Sequence, residues 1–460
     1  MSLPAVKPTS NFFVDSERRL RIGSPEGTPV RTIVTSPGER FFLSLAHIDG
    51  IKTLDCNSST WPSWLFYESV RADGGHKGFE FRTGKPKPNE ARTAEIFFTN
   101  GSGNYRNINI ALYDSARLGV SDISQLHMFQ EIHEQADVFE KVLSHDHDVQ
   151  EAARRLSNLS SIIFTGFGSS ANAASYGVDI LFRYAGKDAS WKNPATLLEF
   201  GNQKDYRNTG LVAISQSGKT KEVVQAVKLL KNRGATTIAL TNDTDSELAQ
   251  AAHHVIPLNA GPEFSVAATK TFTATLLNLQ LLVSHLAPLP EHLSLMQAFG
   301  ETPEISRRLL ESDLGMKELS ASLISAPFGF LLAPESLSAI AREGALKFKE
   351  GANLLIDPYD WRTFFHGPVA MATEKTPVLL LPYPTELATQ ADVQSQLKAK
   401  GLSYHKINLP QSIVRMETHL AAIPYAMMTQ LLAFYTAVGR GLNPDHPRNL
   451  TKVTRTSMAE

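Results

Sequence analysis

The residues best placed to bind an anion form a polar hexapeptide between a predicted strand and a predicted helix. Residues 211–214 are apolar and have the length of a buried strand. Residues 215–220 (SQSGKT) follow, and apolar residues then recur at helical spacing up to Leu230. Because a helix N-terminus carries unpaired N–H groups and a positive dipole end, hydroxyls and a glycine placed there predict a phosphate-binding loop. A Ser or Thr cap with a tight turn is the structural alternative.

Residues 213–220 (AISQSGKT) also have the form of a Walker A nucleotide loop with alanine in its first position. Such a loop would wrap nucleotide phosphates with the backbone from Ala213 onward, whereas Ala213 is predicted to lie in the strand. The next strand ends in two polar residues before Asp243, which is not the pattern of a strand that presents a Mg²⁺-binding aspartate. Nucleotide hydrolysis is therefore kept only as an alternative.

A second group of residues has the side-chain types needed for proton transfer. Glu343, Lys347 and Glu350 are spaced i, i+4 and i+7 in a predicted helix, which places them on one face. An ion-paired surface helix would show the same pattern. His366 precedes a Gly-Pro pair, where a histidine is either structural or an acid–base group that titrates near neutral pH.

Alternating strands and helices would position both groups of residues. Strands are predicted at residues 161–165, 211–214, 236–240 and 255–258, and in a fainter second copy at 328–332, 377–381 and near His405. This alternation predicts an α/β fold with parallel sheets, in which ligands bind at the carboxyl ends of the strands. The repeat predicts two similar domains packed together. Only the first copy carries the hexapeptide, so phosphate binding is expected there alone.

The first 115 residues have the pattern of an all-β domain. Short segments rich in β-branched and aromatic residues are separated by Gly, Pro, Asn and Ser, which predicts a small antiparallel sandwich. Residues 61–65 (WPSWL) and 89–98 (NEARTAEIFF) weakly resemble the Ig-like BACON domains. Trp61 and Trp64 are expected in its core, with a carbohydrate platform or an oligomer contact as alternatives. From residue 121 to 156 the pattern predicts one linker helix, capped by Ser121.

Composition narrows the class of protein. The chain has 460 residues, enough for two or three domains, and a formal net charge of −1, which argues against nucleic acid or an anionic membrane as a partner. It shows no apolar run of membrane-spanning length and no secretory signal, so a cytoplasmic protein is expected. The single cysteine, Cys56, excludes a disulfide framework and a cysteine zinc cluster. Residues 145–148 (HDHD) are a weak metal-site alternative; no metal or organic cofactor is expected.

Six motifs, taken together and in order, resemble the sugar isomerase (SIS) superfamily. They are residues 168–172 (GSSAN), 215–220 (SQSGKT), 266–271 (VAATKT), 342–350 (REGALKFKE), 366–368 (HGP) and 447–453 (PRNLTKV). The similarity extends over about residues 128–456 and is closer to the isomerase half of glucosamine-6-phosphate synthase and to SIS-type glucosamine-6-phosphate deaminases. It implies two tandem flavodoxin-like SIS domains, at residues 116–300 (with the linker helix) and 301–460 (with a C-terminal tail), after the β domain at 1–115.

The resemblance also implies roles for individual residues. The residues that would hold the sugar phosphate are Ser170, Ser215, Gln216, Ser217 and Thr220. Those that would line the sugar are Gly168, Ser169 and Val266. The residues with implied catalytic roles are Glu350 as the base between C1 and C2, Glu343 and Lys347 as orienting groups, His366 in ring opening, and Lys452 as the tail lysine that contacts or covalently captures the open-chain ketose. In this family the histidine typically enters from the neighbouring subunit, which implies a homodimer with a shared site.

Several positions depart from the family pattern. Lys219 stands where the family often has Glu, Ala268 stands where the synthase has Ser, and Thr363 and Phe365 replace polar residues before the histidine. Ser2 occupies the position of the nucleophilic cysteine of the synthase glutaminase. The expected function is therefore deamination of glucosamine 6-phosphate, or of a related hexosamine 6-phosphate, to a ketose 6-phosphate and ammonia. The alternatives are a phosphosugar isomerase without deamination and a non-catalytic phosphosugar sensor.

Overall fold

A computed structural model describes residues 122–383, 387–410 and 421–452, together with Gly84, Leu118, Ile413 and the strands of the first 112 residues. Trp61, Trp64, Ser121, residues 89–92 and residues 453–456 lie outside the described residues, so the predictions made for them stay predictions.

The contacts of the chain divide it into two units, and the first comprises residues 1–123, 315–327 and 435–443. Its strands are β1 (Phe12–Val14), β2 (Leu20–Ile22), β3 (Thr32–Thr35), β4 (Arg40–Ser44), β5 (Leu65–Asp73), β6 (His76–Thr83), β7 (Thr93–Thr99) and β8 (Tyr105–Leu112). They form two sheets, ordered β1-β2-β4-β6-β5 and β3-β8-β7. The purely antiparallel pairing expected from the sequence is wrong, because β2 pairs with β4, and β3 with β8, in parallel.

The second unit comprises residues 124–314, 328–434 and 444–460 and contains two parallel sheets. Its strands are β9 (Ser161–Thr165), β10 (Asp188–Trp191), β11 (Thr209–Ile214), β12 (Thr236–Thr241), β13 (His254–Pro257), β14 (Phe328–Ala333), β15 (Leu355–Asp360), β16 (Val378–Leu380) and β17 (Tyr404–Lys406). The sheet orders are β10-β9-β11-β12-β13 and β15-β14-β16-β17. In both sheets the first strand lies between the second and the third, which is the winding of flavodoxin-like folds. The α/β prediction with parallel sheets is confirmed.

Helices connect these strands. They are α1 (His127–His133), α2 (Gln135–Ser144), α3 (Asp146–Leu156), α4 (Ser169–Ala185), α5 (Pro194–Phe200), α6 (Lys221–Asn232), α7 (Glu247–Ala251), α8 (Lys270–Leu286), α9 (Leu289–Gly300), α10 (Thr302–Ser312), α11 (Met316–Ile324), α12 (Ser338–Ala352), α13 (Leu387–Ala399) and α14 (Ala422–Gly439). The single linker helix expected before residue 156 is wrong, because the segment breaks at Glu134 and His145 into α1, α2 and α3.

The core of the first sheet explains why its strands are continuously apolar. Leu211 and Ala213 of β11 and Ala239 of β12 are fully buried and pack with Val223 and Val227 of α6. A parallel sheet covered on both faces has no solvent-facing side, so its central strands show no alternation. Each fully buried aliphatic side chain contributes roughly 1.5–3 kcal/mol. None of the described helices has the length and apolar character needed to cross a membrane.

Candidate functional site

The hexapeptide forms the turn between β11, which ends at Ile214, and α6, which begins at Lys221. Gly218 has a φ of +61°, and a Cβ built on it would lie 2.0 Å from Ser246 Oγ, so only glycine fits there. Thr220 is the N-cap residue, but its side chain does not cap the helix; its hydroxyl lies 3.2 Å from Ser215 Oγ. The Ser/Thr-cap alternative therefore fails at Thr220. The first N–H groups of α6 lack a side-chain cap, which is the arrangement that binds anions.

The turn after β9 lies beside the hexapeptide. Strands β9 and β11 are parallel neighbours, with Thr165 opposite Ala213, so both turns lie at the same sheet edge. A Cβ on Gly166 would lie 2.8 Å from Ser170 Cβ and 2.9 Å from the Ile214 carbonyl oxygen, so only a glycine permits this approach. The strand order reverses between these two strands, where ligands of such sheets bind. Ser170 is thus brought to the edge that carries the hexapeptide.

Helix α12 carries a buried ionic cluster. Lys347 Nζ lies 3.1 Å from Glu343 Oε1 and 2.7 Å from Glu350 Oε2. The side chains of Lys347 and Glu343 are 0% and 1% exposed, whereas that of Glu350 is 20% exposed. The surface-helix alternative is wrong, because two of the three charges are out of solvent.

Residues of α4 complete this cluster. Ser169 Oγ and Asn172 Nδ2 each donate a hydrogen bond of 2.8 Å to the Glu343 carboxylate. Lys347 Nζ also donates to Ser169 Oγ, at 3.2 Å. Helix α4 begins directly after the turn that follows β9. The acid–base helix is therefore hydrogen-bonded to residues beside the predicted anion loop.

The charge of Lys347 is held by its two carboxylate neighbours. Burial alone would lower the pKa of Lys347, but the charges of Glu343 and Glu350 outweigh it and raise the pKa above the ordinary lysine value. The Glu350 Oε2 atom is buried. The exposed fifth of the Glu350 side chain therefore lies on its other atoms.

The tail lysine is paired with a buried glutamate. Lys452 Nζ lies 2.6 Å from Glu263 Oε2 and donates a 2.7 Å hydrogen bond to the carbonyl oxygen of Ser265. Glu263 was not predicted from the sequence, although it is a lone charge three residues before Val266 in an otherwise uncharged stretch. Val266 itself is half-buried in the same loop.

Among the described residues, His366 is not a member of these hydrogen-bonded clusters. It ends a short 3-10 helix, Thr363–His366, that is anchored by the buried side chains of Trp361 and Phe364. The ring of His366 is exposed. A single copy of the chain does not bring it into hydrogen-bonded contact with the cluster on α12.

The residues of the metal-site alternative and of the Walker A alternative have other contacts in the structure. Asp146 Oδ1 and Oδ2 accept from His285 Nε2 at 2.8 and 2.9 Å, and no group of three or more metal-ligating side chains occurs in the described part of the chain. Asp243 Oδ2 lies 3.2 Å from Lys219 Nζ in an exposed pair. Ala213 lies within β11, as the argument against a Walker A loop requires.

Comparison with known proteins identifies the fold around residues 215–220. Residues 155–285, which carry both turns and the loop of Val266, match the SIS domain model. The chain contains an SIS domain.

Curated relatives of this chain extend the match beyond residues 155–285. A glutamine–fructose-6-phosphate aminotransferase (isomerizing) from Sulfurisphaera tokodaii is 29% identical over 336 residues, which are 71% of this chain and 56% of that protein. The chain thus spans about half the length of the curated relatives that it matches. The sequence resemblance to the isomerase half of such enzymes is confirmed.

Solved structures share the SIS fold. The C-terminal domain of glucosamine-fructose-6-phosphate aminotransferase from Francisella tularensis has a TM-score of 0.64 at 21% identity and covers 70% of this chain and 98% of its own. Glucosamine-6-phosphate deaminase from Thermotoga maritima has a TM-score of 0.61 at 20% identity, covering 71% and 98%. A protein from Silicibacter pomeroyi provisionally named a phosphosugar isomerase has a TM-score of 0.60 at 29% identity, covering 70% and 100%.

Proposed function

We propose that the chain catalyses aldose/ketose proton transfer on a hexosamine 6-phosphate and releases ammonia, as a deaminase of glucosamine 6-phosphate or a close analogue. The observation that carries the proposal is Glu350. It is a carboxylate held by a buried lysine at 2.7 Å, yet 20% exposed, on a helix hydrogen-bonded to residues beside the anion loop. A carboxylate that is positioned but still accessible is what a proton-transfer base requires.

The chemistry follows from these positions. The hexosamine ring opens first, because the C2 proton is acidic only beside the free C1 aldehyde. Glu350 then takes the C2 proton and returns a proton to C1, while a second proton passes from the amine nitrogen to O1, so that the aldose amine becomes a C2 imine with a C1 hydroxyl. Water hydrolyses the C2 imine to the ketone, and ammonia leaves. The phosphate held remotely by the hexapeptide supplies binding energy that positions C1 and C2.

If residues 215–220 hold the sugar phosphate, removing their hydroxyl groups should greatly weaken phosphosugar binding. The Ser215→Ala, Ser217→Ala double variant is expected to weaken fructose 6-phosphate binding by about 100-fold or more, because each of the two lost hydrogen bonds to a charged group contributes roughly 1.5–3 kcal/mol. Calorimetric titration measures the loss. Ser160→Ala is the matched control, since Ser160 is an exposed serine before β9, at the opposite end of the sheet. Equal affinity in the double variant and the control would remove the hexapeptide from phosphate binding.

The test of the proposed activity follows ammonia and ketose together. Glucosamine 6-phosphate is supplied, and ammonia and fructose 6-phosphate are expected to appear in equal amounts. Ketose or aldose interconversion without ammonia would favour the isomerase alternative, which the similarity to the Silicibacter pomeroyi protein supports. Tight phosphosugar binding with no turnover would favour the non-catalytic phosphosugar sensor.

We further propose a second SIS domain around the β14–β17 sheet and a homodimer whose sites are shared. The support is the common strand order of the two sheets and the exposure of His366, which leaves its ring free for a neighbouring copy.

Glu350→Gln and His366→Ala are each expected to be inactive alone. Mixing them after partial denaturation should restore about a quarter of the activity, since a randomly mixed dimer holds one intact site in half of its molecules. No recovery, with dimers present, would place both residues in one subunit's site.

A further inference from the structure

The C-terminal segment is fastened to the second unit at two points. Asp445 accepts 2.8 Å hydrogen bonds from the backbone N–H groups of His127 and Met128, at the start of α1. Seven residues later, Lys452 forms its ion pair with Glu263. The path of the tail between these points is therefore set by side chains of the unit that carries the candidate site.

Glu263 is a fixed anion. Its carboxylate accepts from the backbone N–H groups of Thr269 and Thr271 at 2.9 and 3.1 Å and from Thr271 Oγ1 at 2.8 Å, at the N-terminus of α8. Burial raises the pKa of Glu263, but the charge of Lys452 and these hydrogen bonds outweigh it and lower the pKa. Glu263 therefore stays ionised and cannot move away from the helix without leaving its N–H donors unpaired.

The loop that carries Glu263 is held from its other side by α1. Glu131 accepts from the backbone N–H groups of Phe264 and Ser265 and from Ser265 Oγ. Glu131 is 2% exposed, and burial raises its pKa. Because the loop is bonded on both sides, the tail is the element that moves if the Lys452–Glu263 pair breaks.

Lys452 retains one donor. An ammonium has three N–H groups, and the Glu263 carboxylate and the Ser265 carbonyl use two of them. The side chain is 27% exposed, so the third donor can reach solvent or a ligand. Val266, expected to line the sugar, directly follows the residue whose carbonyl accepts from Lys452.

We propose that Glu263 is a positioning residue that latches the C-terminal tail and fixes the direction of the free Lys452 N–H toward the sugar. This inference rests on the proposed function, and it assigns to Glu263 a role that acts through Lys452 alone. The proposal has two consequences that can be tested separately. The Lys452–Glu263 pair orders the tail with or without a substrate, and the positioned third N–H of Lys452 raises turnover.

The first experiment measures the latch without catalysis. In Glu263→Gln, hydrogen exchange of the backbone amides of residues 449–452 is expected to quicken by about tenfold or more, while the amides of α8 exchange as in the wild type. Glu134→Gln is the matched control: Glu134 pairs with Lys270 at 2.5 Å in the same region but does not touch the tail. Unchanged tail exchange in Glu263→Gln would overturn the latch, whatever the enzyme's activity.

The second experiment asks whether Glu263 acts through Lys452. Lys452→Met, a change at a partly exposed tail position, is expected to lower kcat/KM by roughly 100-fold. Glu263→Gln should give a similar loss in the wild type but less than about a twofold further loss in the Lys452→Met background, because coupled residues are not additive. Equal losses in both backgrounds would show a general structural role and overturn the proposal.

The two proposals can fail separately. Fructose 6-phosphate binding at the hexapeptide is expected to be retained in Glu263→Gln, since neither Glu263 nor Lys452 belongs to that loop. A wild-type protein that turns over no hexosamine phosphate would defeat the proposed function, and the tail exchange of Glu263→Gln would then decide the latch alone.

Discussion

Glu350→Gln is expected to lower kcat for the hexosamine phosphate by about 10²- to 10⁴-fold, the usual contribution of a positioned acid–base group. Glutamine keeps the shape of the side chain but cannot accept the C2 proton. KM should change little, because we propose that the phosphate is held by the loop at residues 215–220, which is remote from α12 in the sequence. The measurement is steady-state turnover, together with exchange of the C2 hydrogen with deuterated water.

A matched control separates chemistry from folding. Glu304 is an exposed helical glutamate paired with Arg308 four residues on, so Glu304→Gln makes the same chemical change on α10, which carries no residue of the candidate site, and should leave kcat unaltered. If Glu350→Gln kept more than about a tenth of the wild-type kcat, Glu350 would not be the proton-transfer base.

Lys347→Met is expected to destabilise the second unit by about 3–5 kcal/mol, because removing one partner of a buried ionic cluster leaves uncompensated charge. Glu343 is 1% exposed and would keep only its bonds from Ser169 and Asn172. Urea unfolding of the variant and the wild type measures the difference. Adding Glu343→Gln to Lys347→Met should recover part of the loss, since it removes one of the stranded charges.

The control for this prediction is another buried lysine. Lys270 is 4% exposed, but its partner Glu134 is 51% exposed and returns to water when the lysine is lost. Lys270→Met should therefore lower the free energy of unfolding clearly less than Lys347→Met does. Similar losses for the two variants would show that the volume of the lysine stem, and not the stranded carboxylates, sets the effect.

The pH dependence of the same cluster has a definite sign. The folded-state pKa of Lys347 is raised above the unfolded value, so its contribution to stability is fully present at pH values below the ordinary lysine pKa. The contribution is lost only as the pH rises through the raised value. The difference in unfolding free energy between wild type and Lys347→Met should accordingly be constant from neutral pH up to the onset of lysine titration.

Two strands could not be predicted from the local pattern of the sequence. Strand β10 (Asp188–Trp191) and strand β15 (Leu355–Asp360) were not predicted, and both lie at the edge of their sheets. Strand β10 is polar and only partly buried, and β15 contains Pro358, which an edge strand tolerates and a central strand does not. Neither has the apolar run by which the central strands were recognised.

The site shows the same division between local and distant information. The hexapeptide was predicted because strand, turn and helix follow one another within about twenty residues, and each leaves a local signal. Glu131 was missed because nothing beside it distinguishes it from any helical glutamate; its bonds to Ser265 join residues 134 positions apart.

The sequence by itself determined the alternation of strands and helices, the polar turn at the start of α6 that we propose binds an anion, and the three charged residues on one face of α12. Only the tertiary structure decided that this face is buried, because Ser169 and Asn172 reach Glu343 across 174 and 171 residues of chain. It also decided that the tail lysine meets Glu263, across 189 residues. The periodicity of the sequence shows which face of a helix or strand is apolar. Which charged residues form buried pairs depends on how distant elements pack, and this packing leaves no local pattern in the sequence.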